Sequence, residues 1–306
     1  MTGKLTEDID KFLHHMANQR RVAANTVSAY HNDLRQFEEY LVSEHSNGSF
    51  QSVAEPVTID GLDSGAVAGF VLHLREKGYA QATVARKVAA VKSFFGYASD
   101  VGLVLSNPTL SLDSPRVRRA IPQAVSESDV RALLASASEM ESPDDRRNRA
   151  MLTLLYHTGM RVSELVALDL KDVDTLDRIV LCRGRGGRVR SIPMGEPAVS
   201  AIQSYLGEGR PFLARGVADN ADALFLNHRG TRLTRQGFWL IMKDCARQAG
   251  ITAAITPHTL RHSFALHRLG TGTTLRDLKE LLGHVNISTT QIYALADRGA
   301  NAARTN

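Results

Sequence analysis

Cysteine, tryptophan and long apolar runs are scarce in this chain. Cys182 and Cys245 are the only cysteines in 306 residues, and they stand in dissimilar segments. That excludes a disulfide framework and suits a reducing compartment. No apolar run approaches the roughly 20 residues that a membrane-crossing helix needs. The opening stretch, MTGKLTEDIDKFLHH, carries acids and has no apolar centre, so it does not read as a secretory signal. A cytoplasmic protein is the expectation. Low-complexity tracts and internal repeats are absent too, which fits an ordinary globular chain. Lysine is rare in the second part: residues 113–306 hold 24 arginines and three lysines.

What is present is globular. The chain is 43% hydrophobic and 23% charged, and its length permits two ordinary domains with a sizeable core. Charge is unevenly placed. Residues 1–112 carry a net −2 and residues 113–306 a net +7. A basic second part favours a polyanionic partner.

Periodicity divides the chain further. Residues 5–16 predict an amphipathic helix with Leu5, Ile9, Phe12, Leu13 and Met16 on one side. Asn25 reads as the cap of a longer helix reaching His45. The stretch 46–65 concentrates Gly, Ser and Pro and reads as a loop. Helices are predicted over 64–77 and 80–100, the latter carrying Arg86, Lys87 and Lys92. The segment Asp113–Pro122, with two prolines and Arg116, Arg118 and Arg119, reads as a basic linker. This gives a helical bundle over 1–112, a linker over 113–122 and a second domain over 123–306. Helices follow over 126–137 and 143–157, with Ser126 capping the first and Gly159 ending the second. Ile179–Leu181 and Val189–Pro193 predict a hairpin around an RGRGGR turn. Residues 196–206 and 235–249 read as helices, and Leu224–Leu226 as a strand or extended piece.

The most informative stretch runs from Thr256 to Tyr293. Thr256 and Pro257 predict a helix start. His258 and Arg261 share a face three residues apart, and His258 falls in the first turn, where free N–H groups attract anions. Leu275, Leu278, Leu281 and Leu282 predict a second helix, Gly283 its end, and His284 follows directly. Ser288 and Gln291 read as a capping box, flanked by an Ile287–Ile292 staple, and Tyr293 lies in that last helix. Taken singly, these histidines fit surface or capping positions, and the tyrosine fits packing. His258 and His262 at four-residue spacing would also suit a metal, but Arg261 opposes a cation and no cysteine is near.

Taken jointly, the residues resemble the C-terminal signature of the tyrosine recombinases: H-x-x-R, then L-L-G-H, then a tyrosine nine residues on. His258, Arg261, His284 and Tyr293 match it in identity and spacing. The family's earlier signature, T-G-x-R-x-S-E-L, stands as Thr158-Gly159-Met160-Arg161-Val162-Ser163-Glu164-Leu165. The chain looks most like the Xer recombinases and simple integrases. The resemblance implies a mainly α fold with a small β-hairpin, arranged as a two-domain, C-shaped DNA clamp: a SAM-like core-binding domain and a catalytic domain. It implies double-stranded DNA with short inverted-repeat core sites as partner. It also implies a homo-tetramer, or a hetero-tetramer with a related recombinase, acting on two sites, with room for a DNA translocase as regulator. No cofactor and no metal are implied. Tyr293 would be the nucleophile, Arg161 and Arg261 the phosphate clamps, His258 and His284 proton or phosphate partners, and Glu164 an orienting group. Arg86, Lys87, Lys92, Arg116, Arg118, Arg119 and Arg188 are the expected DNA-binding cations. The family's catalytic lysine is replaced here by Arg185, in Gly184-Arg185-Gly186. Arginine holds its proton too tightly to be an efficient acid.

Three function classes follow. A site-specific recombinase, serving chromosome dimer resolution or a mobile element, accounts for both signatures. A type IB topoisomerase would share the tyrosine chemistry but relax supercoils without exchanging partners. A DNA-binding accessory protein would bind without a covalent adduct, a reading motivated by Arg185.

Overall fold

Local sequence rules place most helix ends. Ser126, Ser142, Thr234, Thr256 and Thr274 each accept a hydrogen bond from a backbone N–H three residues on, which satisfies a donor that the helix leaves orphaned. The structure is a computed structural model. It describes residues 5–20, 22–47, 57–112, 124–137, 142–184, 187–215, 222–284, 286–294 and 296. The chain separates into two compact units, Met1–Arg119 and Ala120–Asn306.

The first unit holds α1 (Leu5–Asn18), α2 (Ala24–Asn47), α3 (Ser64–Glu76) and α4 (Gln81–Asp100), with a 3-10 turn at Ile59–Gly61. Its core is built on Phe12, Phe37, Phe70, Phe94 and Phe95, all fully buried. These rings meet edge to face, Phe37 on Phe70 at 5.1 Å and Phe12 on Phe94 at 5.7 Å, the arrangement that aromatic quadrupoles favour. Asn25 is not the cap of α2. The helix begins one residue earlier, with the Ala23 carbonyl accepting from Thr26 and Val27.

The basic face expected on α4 is also not what forms. Lys87 is buried, its Nζ donating to Oδ1 of Asp33 at 3.0 Å, and Asp33 is itself buried. Arg86 is half exposed and shares the same carboxylate. Lys92 is partly exposed on this helix. Lys87 is therefore an internal counter-charge and not a DNA-facing cation. Helical position identifies a face but not what packs on it. Arg116, Arg118, Arg119 and the rest of the linker lie outside the described residues.

The second unit is organised around α6 (Pro143–Thr158), whose Met151, Leu152, Leu154 and Leu155 are all fully buried. A helix apolar over so much of its circumference belongs at the centre of a core. Around it stand α5 (Glu127–Ser136), α7 (Val162–Leu165), α8 (Glu196–Ser204), α9 (Arg210–Leu213), α10 (Arg235–Gln248), α11 (Pro257–Gly270) and α12 (Leu275–Leu282). A π-helical turn, Tyr205–Gly209, links α8 to α9. The sheet has three antiparallel strands: β1 (Val173–Asp174), β2 (Ile179–Arg183) and β3 (Val189–Pro193). The short β1 adds to the expected hairpin. The register pairs Cys182 with Arg190 and Val180 with Ile192, so Arg190 shares the inward face with Ile192. Leu224–Leu226 is buried but forms no strand; isolated bridges flank it at Ala223 and Leu226. Cys182 and Cys245 are buried free thiols, their pKa values pushed up by burial to about 12 and about 11.

The last helical segment, 288–294, starts at the expected cap itself. The Ile287 carbonyl accepts from Thr290 and Gln291, so Ser288 is already helical. Ile287 is exposed.

The Asp33–Lys87 pair gives a direct test. Asp33→Ala strands a buried ammonium and should cost about 3 kcal/mol or more. Lys87→Met leaves Asp33 with Arg86 and should cost clearly less. Urea midpoints of the two variants measure the difference.

Candidate active site

Two arginines from separate elements meet at one carboxylate, with a third close by. Glu164, in α7, is buried and accepts four hydrogen bonds. Two come from Arg190, Nη1 to Oε1 at 2.7 Å and Nη2 to Oε2 at 2.8 Å. Two come from Arg161, its backbone N–H at 2.7 Å and Nη1 at 3.0 Å. Burial alone would raise the Glu164 pKa, but the bonds and charges of Arg190 and Arg161 overcome this and hold it below the usual value. Burial likewise works against the Arg190 charge, and the Glu164 bonds outweigh it, so the guanidinium is held more firmly charged.

Helix ends supply the remaining acceptors. Arg261, only 6% exposed, donates from Nη1 to the Gly159 carbonyl at 2.5 Å and from Nη2 to the Leu282 carbonyl at 2.7 Å. Arg190 Nε donates to the Leu281 carbonyl at 3.1 Å, and Arg161 Nη2 to the Gly283 carbonyl at 3.3 Å. These are the carbonyls that close α6 and α12, left without intrahelical partners and at the negative ends of the dipoles. Gly159 and Gly283 both end their helices in the left-handed conformation, φ +60° and +64°. A Cβ on Gly159 would lie 2.2 Å from the Phe264 ring, and one on Gly283 2.9 Å from the Arg190 guanidinium. Both glycines are therefore needed to aim their carbonyls and to admit their neighbours.

Arg261 pays most in desolvation. Burial, followed by the charge of Arg161, lowers its pKa to about 10, still well above neutrality. Arg161 is the opposite case, its side chain 40% exposed. The cluster thus presents an open guanidinium backed by two held ones.

His284 follows Gly283. Its Nε2 lies 3.1 Å from Arg261 Nη2, and its Nδ1 lies 2.9 Å from Thr290 Oγ1. A guanidinium can only donate, so Nε2 accepts and the ring proton sits on Nδ1, donating to Thr290. The charge state agrees: burial, then Arg261, Arg161 and Arg190, lower the His284 pKa to about 4. Tyr293 is buried at 2% exposure, and its ring lies parallel to His284 with centroids 6.5 Å apart. Burial raises its pKa against the opposing charges of Arg261 and Arg161, so the phenol keeps its proton.

The tyrosine hydroxyl meets His262, Nδ1 to Oη at 2.7 Å. His258 is exposed in the first turn of α11 and makes no hydrogen bond among the described residues. Of the residues expected from the sequence, the structure brings Arg161, Glu164, Arg261, His284 and Tyr293 together and leaves His258 at the margin; His262 and Arg190, not among those expected, join them. Period-two alternation with Ile192 could have found Arg190. For His262 the helical step from Arg261 shows a different face but not the tyrosine opposite it. Arg188 is exposed, and its side chain makes no hydrogen bond among the described residues. Arg185 lies outside the described residues.

A buried cationic cluster with one open guanidinium, beside a tyrosine hydroxyl, is chemically able to hold a phosphate ester through fixed donors. Comparison with known proteins gives the same class. Residues 123–299 match the phage integrase family, and residues 9–102 match the phage integrase N-terminal SAM-like domain. The chain belongs to the phage integrase family and is a tyrosine site-specific recombinase. It is 46% identical to the tyrosine recombinase XerC of Roseiflexus sp. (strain RS-1), across 97% of this chain and 92% of that one. It is 41% identical to the tyrosine recombinase XerD of Listeria monocytogenes serotype 4b (strain F2365), across 93% and 92%. Its fold is that of the XerH site-specific recombinase solved with a palindromic difH substrate in a post-cleavage complex. The TM-score is 0.74 at 23% identity, covering 98% of this chain and 95% of that one.

The histidines predict the acid limb of stability. His284 titrates near 4 when folded and near its ordinary value of about 6.5 when unfolded. The unfolded chain therefore takes the proton first. The stability this group contributes is complete above about pH 6.5 and is lost as pH falls toward about 4. His262, His157 and His267 are shifted in the same direction. Urea midpoints should fall across this window, and His284→Gln should flatten the slope without abolishing it.

Proposed function

We propose that this recombinase cuts one DNA strand with Tyr293 and rejoins it to a partner strand, exchanging strands between two sites through a Holliday junction. The observation that carries the reading is the convergence of Arg161, Arg261, His284 and Tyr293, from separate segments, on one cationic cluster. The Tyr293 oxygen attacks the scissile phosphorus and the 5′-oxygen departs, leaving a 3′-phosphotyrosyl link that keeps the bond energy for rejoining.

The transition state gathers negative charge on the nonbridging oxygens. Arg161 and Arg261 meet that charge with fixed donors, and losing one such group commonly costs about 2–4 kcal/mol. His284 enters differently. Its Nε2 accepts from Arg261 in the free protein, so contact with a phosphate oxygen requires a proton there. An arriving phosphate favours that proton, because its charge offsets the arginines that keep the ring neutral. His258, at the positive end of α11, is placed to receive phosphate rather than to serve the tyrosine. Arg185 would steady the departing 5′-oxygen by charge.

We further assign the role of core-binding DNA domain to residues 1–112, with 113–122 as basic linker and 123–306 as catalytic domain, the two clasping duplex DNA. The XerC and XerD relatives support a chromosomal role, dimer resolution at inverted-repeat sites in the cytoplasm, by a tetramer of this chain or of this chain with a related recombinase. The recombinase reading is favoured over a relaxing topoisomerase or an accessory binder by the relatives matched along nearly the whole chain.

The test uses a nicked suicide duplex carrying a site selected from random DNA with the purified protein. Wild type should form a covalent 3′ adduct. Tyr293→Phe should form none while binding the site within about twofold of wild type, because one hydroxyl is lost and no phosphate contact is. An adduct that persists in the phenylalanine variant sinks the assignment.

A further inference from the structure

We propose that His262 is the catalytic base that takes the proton from Tyr293 as the phenol attacks. The proposal rests on the reading of Tyr293 as nucleophile. Its observation is the direct contact between Nδ1 and Oη at 2.7 Å, with ring centroids 5.4 Å apart and planes tilted by 54°. That is the reach a general base requires. No other side chain bonds the hydroxyl among the described residues.

The fold explains why this histidine and not its neighbour faces the tyrosine. His262 follows Arg261 directly in α11, and one helical step turns the side chain by about 100°. Arg261 thereby points at the carbonyls of Gly159 and Leu282, while His262 points at the segment carrying Tyr293. His258, one turn earlier, remains exposed.

A base must arrive unprotonated. The groups facing His262 are His258 and Arg261 on its own helix, and His284 and Tyr293 from the segment beyond α12. Burial, then His258 and Arg261, lower its pKa below the usual histidine value. The neutral ring then carries its proton on Nε2 and accepts the tyrosine proton at Nδ1. Tyr293 needs such a partner, because burial makes its free phenolate scarce. The cations that make His262 a weak base in the free protein are offset once a phosphodiester sits among them. Basicity therefore rises when the substrate is in place.

The step balances. The Oη–P bond forms while the Oη proton moves to Nδ1. The P–O5′ bond breaks, its electron pair leaves with the 5′-oxygen, and that oxygen takes a proton from solvent. In rejoining, a 5′-hydroxyl attacks phosphorus and loses its proton to solvent. The His262 imidazolium then returns its proton to the departing phenolate.

The experiment is single-turnover adduct formation by the full chain on the selected suicide duplex, from about pH 5 to about pH 9. The variants are His262→Asn, His262→Ala and His258→Asn, with site binding measured for each by mobility shift. Asparagine puts an oxygen where Nδ1 stood, so it keeps a hydrogen-bond acceptor but cannot take the proton. Wild-type cleavage should rise with pH through a limb below about 6.5. His262→Asn should bind normally, cleave about 100-fold or more slowly, and lack that limb. Added imidazole should partly restore His262→Ala, and His258→Asn should keep the limb. Cleavage by His262→Asn at the wild-type rate would reduce the contact to positioning and overturn the proposal. Faster cleavage by His262→Ala would make the contact a lock, which overturns it equally. If His262→Asn does not bind the site, the imidazole response of His262→Ala decides, and its absence counts against the base. No adduct from wild type would instead defeat the nucleophile assignment itself.

Discussion

A single buried carboxylate makes the rest of this site possible. Glu164 lies between Arg161 and Arg190, with Arg261 nearby, and neutralises only part of their charge. The remainder is met by backbone carbonyls at the ends of α6 and α12. Such carbonyls are what a helix terminus leaves over, and they satisfy guanidinium donors without cancelling the charge. The cluster is thus held rigidly and still carries an excess positive charge for an anion to find. Preorganised charge of this kind does not have to be assembled when an anion arrives, which favours it over mobile side chains.

The same cations set the states of their neighbours. They help keep His284 neutral and its Nε2 accepting, and they help keep His262 below its ordinary pKa. Burial holds Tyr293 protonated. In the free protein, then, the proposed nucleophile is a hidden, protonated phenol tied to a neutral imidazole. Both features suit an enzyme whose uncontrolled action would break DNA. Negative charge from a bound phosphodiester moves each histidine toward protonation, so substrate electrostatics and readiness for chemistry are linked through the arginines.

Specific residues show how much was legible beforehand. Thr256, Pro257, Gly159 and Gly283 mark helix ends by chemistry that acts over three or four residues, and the structure uses them as expected. Asn25 and Ser288 carry the same chemistry and are not caps, because neighbouring backbone extended each helix past them. Lys87 read as a surface cation from its type, yet the burial of Asp33 drew it inside.

The sequence by itself determined which groups were candidates for the site. A tyrosine, two arginines, a glutamate and a histidine at fixed spacings are a chemical statement, and spacing along a helix or after a glycine cap is a local property. Only the tertiary structure decided which groups touch. Arg190 reaches Glu164 across 26 residues, Arg261 reaches Gly159 across 102, and His262 reaches Tyr293 across 31. Periodicity tells which way a side chain leaves its own helix. What waits on the other side depends on how α6, α11, α12 and β3 pack, and that packing is settled by the buried apolar side chains of the whole unit, not by the polar residues it brings together.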